Sequence, residues 1–308
     1  MNTRLSNLAC SIRAIPLNDK LSDNALIALS RSYISMQNLV VANHLDSEYG
    51  DHRVFEKALD MLYRICIGRC QADQPFARRC RLTPLLYMIV HAQMRGIDMK
   101  KSKECRDLMW RLVDEWMQEP DTHGERTSVY GVLRCIANLY CYEPEENRRD
   151  EEEFLWFRQR VSDWAALMNG EGRWEGISSG EALCRIEVMG RNSNMFLDPS
   201  HDEMIEKART SYCKSILETI RRPDGLTLRN WGSTLFMLYE IIMWGAGVPD
   251  LERADEIAES ARQQAGRQSC GSDEWLLCQS TCLDRLCMQA GERIQEQMLA
   301  DMACPAHE

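Results

Sequence analysis

The chain has 308 residues, of which 44% are apolar and 27% charged, a balance that excludes a disordered protein and leaves ample material for one continuous core. Its formal net charge of −10 argues against a general grip on nucleic-acid phosphates or on an anionic membrane, despite the local run of Arg78, Arg79 and Arg81. Fourteen cysteines scattered through apolar helical segments of so large a chain read as buried free thiols in a reducing compartment, not as a disulfide framework.

The first twenty residues carry no uninterrupted apolar stretch of leader length, because Ser11, Arg13 and Pro16 break it up. No later segment approaches 18 uninterrupted apolar residues. The strongest, from Leu235 to Ala246, is too short to span a bilayer. A cytoplasmic protein without membrane or nucleic-acid partners is therefore expected.

Strand signals are scarce and helical periodicity is nearly continuous. Segment 24–44 opens a series that alternates between two kinds of helix. In segment 52–69, Val54, Phe55, Ala58, Leu59, Leu62, Ile65 and Cys66 fall on one face, opposite a charged one. Thr83 and Pro84 read as an N-cap and first-turn proline opening segment 83–94, where Leu85 to Val90 is apolar on every side. Segment 101–118 is amphipathic again, through Cys105, Leu108, Met109, Leu112 and Trp116.

The alternation continues to the end. The inner kind recurs at 127–142, 178–192, 228–246 and 272–290, and the outer kind at 150–168, 201–220, 250–265 and 291–302. Ser178 with Glu181, and Ser200 with Glu203, fit the capping box. The acidic stretch from Glu143 to Glu153 reads as an exposed loop and helix start, so residues 1–308 form a single all-helical repeat domain. The repeat is about 50 residues, a helix–turn–helix unit. Six such hairpins make either an α/α toroid or an open α-solenoid. Helices apolar all round favour the closed toroid, because an open array leaves each layer wet on one side.

In a closed ring the loops leading into the inner helices share one rim. Trp174, Trp231 and Trp275 stand there in similar phase, beside Arg173, Glu175, Asp224, Arg229 and Asn230. Aromatic faces next to charged groups suit a peptide or another polar organic ligand, and the same tryptophans could equally plug the ring. Carboxylates at Glu171, Glu175, Glu181 and Asp224 are the possible members of a glycan-cleaving pair. Glu181 and Arg185, at i and i+4, also fit a helix-surface ion pair.

Metal sites are weakly signalled. Cys66 and Cys70, and Cys278 and Cys282, stand one turn apart, with Cys270 and Cys287 flanking the second pair. No C-x-x-C pair and no histidine pair at metal spacing occurs, so apolar packing of the thiols and no metal are expected. Of the histidines, His123 is the best-placed acid or base, and His91 reads as a core residue. No nucleophile elbow, P-loop or dinucleotide fingerprint is present, and no cofactor is expected.

The stretch NWGSTLFMLYEIIMWGAG at 230–247, followed by PDLERADEIAESA, resembles a hairpin of the lanthionine-synthetase cyclase family, as does GISSGEALCRIEVMGRNS at 176–193 more loosely. The resemblance implies an α/α toroid with glycine-bearing inner-helix starts. That family's zinc motif of cysteine, histidine and glycine aligns with Asn230, Trp231 and Gly232, where only the glycine is kept. Its other ligand motif falls near Ser179 and Gly180, without the histidine. The resemblance therefore implies a non-zinc accessory or binding protein that takes a peptide or polar ligand in its central cavity. The alternatives are a six-hairpin glycan hydrolase or lyase and a protein-interaction scaffold.

Overall fold

A computed structural model describes residues 3–42, 52–71, 73–92, 98–118, 132, 135 and 271–303. The described residues are 87% helical, with no strand among them, which makes the fold all-α. They form six helices: α1 Thr3–Arg13, α2 Asp23–Ala42, α3 His52–Arg69, α4 Phe76–Ala92, α5 Met99–Gln118 and α6 Asp273–Ala303. None is long and apolar enough to cross a membrane.

Each outer-type helix buries one face, as its periodicity requires. Helix α3 buries Phe55, Ala58, Leu59, Leu62, Tyr63 and Cys66, and α5 buries Cys105, Met109, Leu112, Val113 and Trp116. Three positions depart from the expected faces: Val54 is 42% exposed, and Ile65 and Leu108 are only half-buried. Helix α4 is buried almost all round, from Arg79 to Ala92, as a helix without a polar face must be. In segment 127–142, Val132 and Cys135 are helical and fully buried.

Three elements differ from the sequence reading. Helix α4 begins at Phe76, seven residues before the expected cap at Thr83, and Pro84 lies inside it. Two arginines near its start are held by partners on other helices: Arg78 by Asp23 and Arg79 by Glu115. Pro84 still removes the N–H that would bond the Cys80 carbonyl, and the surrounding burial sustains the helix across it. Helix α6 runs unbroken through Gly291, so the expected sixth hairpin is one long helix. Its first half is mostly buried and residues 288–297 are half-buried or exposed, which reproduces the pattern of two separate helices. Helix α1 was missed; it buries Leu5, Leu8 and Ile12 at helical spacing.

Helix α2 sits in the middle. It packs most extensively against α6, and on its other side against α3 and α4. Helix α3 fills the groove between α2 and α4, α5 backs α4, and α1 covers α6 and the near edge of α2. The three inner-type helices thus adjoin in the order α4, α2, α6, and the last described helix lies against the first two.

Candidate functional site

The starts of the three inner-type helices come together at one end, where side-chain capping fixes two of them. The Ala25 N–H donates to Ser22 Oγ at 3.0 Å, and the Trp275 N–H to Ser272 Oγ at 3.3 Å. Ser22 in turn donates to Asp273 Oδ1 at 2.6 Å, tying the α2 start to the α6 start. Gly271, just before α6, has φ of 92°, a conformation that glycine adopts without strain.

Asp23 ties α2 to α3 and α4. Arg78 donates to both of its carboxylate oxygens at 2.9 Å, and Arg69 Nη1 to Oδ1 at 2.8 Å. Arg69 Nη2 also bonds the carbonyls of Asp19 at 2.7 Å and Leu21 at 2.6 Å, fastening the loop that leads into α2. Burial pushes the Asp23 carboxyl up, but the hydrogen bonds and charges of Arg78 and Arg69 outweigh it and hold it below its ordinary value. Arg81, exposed at the same end, donates to Asn24 Oδ1. These groups line an open cleft of about 500 Å³.

A strip of side chains runs from this cleft along α2. Among residues 23–41 of α2, the positions that are not buried are Asn24, Ile27, Arg31, Ser35, Asn38 and Val41, together with Asp23 at its start. Spaced three and four residues apart, the six from Asn24 onward form one narrow stripe. Helix α4 has Arg81 and Met88 in the corresponding phase, and α6 has Leu277, Asp284 and Met288. Two contacts join the stripes. Arg81 meets Asn24, and Asp284 accepts from Arg31 at 2.6 Å and Ser35 at 2.7 Å. Helices α2 and α4 and the first half of α6, mostly buried elsewhere, therefore share a surface that combines amides, one ion pair and aliphatic side chains.

Of the residues singled out in the sequence, Trp275 is in the first turn of α6, at the end where it was expected, and is 7% exposed within the core cluster. Arg173, Trp174, Glu175, Asp224, Arg229, Asn230 and Trp231 lie outside the described residues, as do Glu171, Glu181 and His123. The stripe was missed. Its signal was present as Asn24, Arg31 and Asn38 at seven-residue spacing, but Ser30, Ser32 and Gln37 are equally polar and fully buried, which hides the phase.

The cysteines behave as core. Eight of the nine described are buried, none of the nine is in a disulfide, and only Cys10 is exposed. Burial pushes the Cys66 and Cys105 thiols up to about 12 and Cys70 up to about 11. Protonated thiols are poor metal ligands and poor nucleophiles. No group of three or more metal-binding side chains occurs among the described residues. His91 is half-buried with its ring centroid 4.2 Å from that of Tyr87.

No family model matches the chain, and no curated protein or solved structure does either.

Proposed function

We propose that the chain is a closed helical array, an α/α toroid, that binds a peptide or another polar organic ligand against the strip shared by α2, α4 and α6. The observation that carries this reading is the strip itself. Asn24, Arg31 and Asn38 recur at seven-residue spacing on a helix whose other faces are buried, beside Ile27, Met88 and Leu277. A surface that mixes fixed polar groups with aliphatic ones suits a ligand of mixed character. Closure is supported by the position of α6 against α2, because the ends of an open solenoid do not meet. A non-zinc relative of the lanthionine-synthetase cyclases fits the same layout, with Asn230 and Trp231 in place of two zinc ligands.

A glycan-cleaving enzyme is less well supported. It needs two opposed carboxylates, and the strip offers Asp284 alone among the described residues, already bonded to Arg31 and Ser35.

The test is thermal unfolding against a panel of peptides and oligosaccharides, with wild type and Ile27→Trp. A ligand at 100 times its Kd adds about 2.7 kcal/mol of stability. The reading requires that one class raise Tm in the wild type and that Ile27→Trp, which fills the strip, abolish the rise without lowering the ligand-free Tm. A rise that survives Ile27→Trp puts the ligand elsewhere and overturns the proposal. No rise with any class moves the weight to a scaffold, for which the burial of Trp275 already gives a packing role.

A further inference from the structure

We infer that the ligand presents an anionic oxygen group, a carboxylate or a phosphate, to Arg81 at the mouth of the cleft. The inference rests on the binding role proposed above and specifies the chemistry of one end of the ligand. Three guanidiniums, Arg69, Arg78 and Arg81, line the cleft against two carboxylates, Asp19 and Asp23. The excess is positive in a chain whose formal net charge is −10.

The three arginines are not equivalent. Arg69 and Arg78 are both committed to Asp23, with side chains 15% and 35% exposed, and they build the floor. Arg78 is further fixed by Gln74 Oε1 at 2.9 Å. Arg81 is exposed, and its partner is the neutral amide of Asn24. No carboxylate pairs with it among the described residues. A guanidinium aimed by an amide and backed by two more cations is arranged to receive a forked oxyanion. Arg81 is also the point where the cleft meets the strip, so an anionic terminus there lets the rest of the ligand lie along Asn24, Ile27 and Arg31. The groove between α3 and α5 has a different character. Lys100, Lys103 and Arg111 stand there against Glu104 and Asp107, the same formal excess, but on one helix and without the two-arginine floor that backs Arg81.

Titration calorimetry of the full-length protein with inorganic phosphate and with succinate tests this directly. The variants are Arg81→Ala, Arg81→Lys and, as a control in the other groove, Lys100→Ala. Saturable binding of either anion, weakened about tenfold or more by Arg81→Ala and less by Arg81→Lys, with Lys100→Ala unchanged, is the expected result. The anion that binds more tightly tells phosphate from carboxylate ligands. Absence of saturable binding, or binding that Arg81→Ala leaves intact, overturns the inference. Arg81 is exposed, so its replacement does not threaten the fold. The two proposals fail separately. Peptide stabilisation that Ile27→Trp removes and Arg81→Ala does not would sink the anion site alone. Anion binding that depends on Arg81, without any stabilisation sensitive to Ile27→Trp, would sink the strip alone.

Discussion

Ser22 and Asp273, 251 positions apart in the chain, share a 2.6 Å hydrogen bond in which the serine hydroxyl donates to the carboxylate. The same oxygen accepts the Ala25 N–H, so one side chain both caps α2 and fixes the start of α6. Ser22→Ala removes both contacts and should cost about 1–2 kcal/mol. A double-mutant cycle with Asp273→Ala, read by urea unfolding, separates the two. A coupling energy of about 0.5–1.5 kcal/mol is expected, and additivity would mean that the cap acts alone.

Asp23 links three helices through Arg69 and Arg78, with its side chain 20% exposed. Asp23→Asn leaves two guanidiniums sharing a neutral amide and should destabilise by about 2 kcal/mol near neutral pH. The pH dependence follows from the direction of its shift. The folded-state pKa is depressed, so the stabilisation is complete above the ordinary carboxylate value, about 4, and disappears as pH falls through the lower folded value. The gap between wild type and Asp23→Asn should be constant from pH 7 to pH 5 and narrow below about pH 4. An unchanging gap down to pH 2 would refute the pairing.

Gln37 is 1% exposed in α2, and neither its amide oxygen nor its amide nitrogen has a hydrogen-bond partner among the described residues. An unsatisfied buried polar group costs about 1–3 kcal/mol. Gln37→Leu, close in volume and without polar atoms, should raise Tm by a few degrees. A lower Tm in that variant would mean that a partner such as a bound water is satisfying the amide.

Thiol accessibility distinguishes Cys10 from its neighbours. With Cys70 pushed up to about 11, only about one thiol in a thousand is ionised at pH 8, and the Cys70 side chain is 1% exposed. Cys66, Cys80 and Cys105, each pushed up to about 12, are less ionised still. Alkylation of the native protein followed by peptide mapping should label Cys10 within minutes and leave these four unmodified until denaturant is added. Rapid native labelling of Cys70 would show that the α3 to α4 turn opens readily.

The outer faces of α3 and α5 were legible because single-sided burial writes its period directly into the sequence. Boundaries were less so. The boundary expected between 290 and 291 does not occur: Gly291 lies inside α6 with Leu39 nearby, and a Cβ added there would meet the leucine at 4.0 Å, so α6 passes close to α2. Thr83 and Pro84 carry a start signal that the tertiary contacts of Arg78 and Arg79 override. The strip on α2 was the least legible feature. Which of its polar residues face outward depends on which neighbours cover Ser30, Ser32 and Gln37, and that is a property of the packing of the other helices around α2.

The contact between α2 and α6 also has a consequence for biosynthesis. A ribosome adding roughly 5–20 residues per second needs on the order of 10 to 50 seconds to travel from Ser22 to Asp273. Throughout that interval the side of α2 destined for α6, including Ala28 and Leu39, has no native cover. The nascent chain therefore emerges with its central helix half dressed, and the speed of translation sets how long that apolar side is offered to whatever else the cell contains.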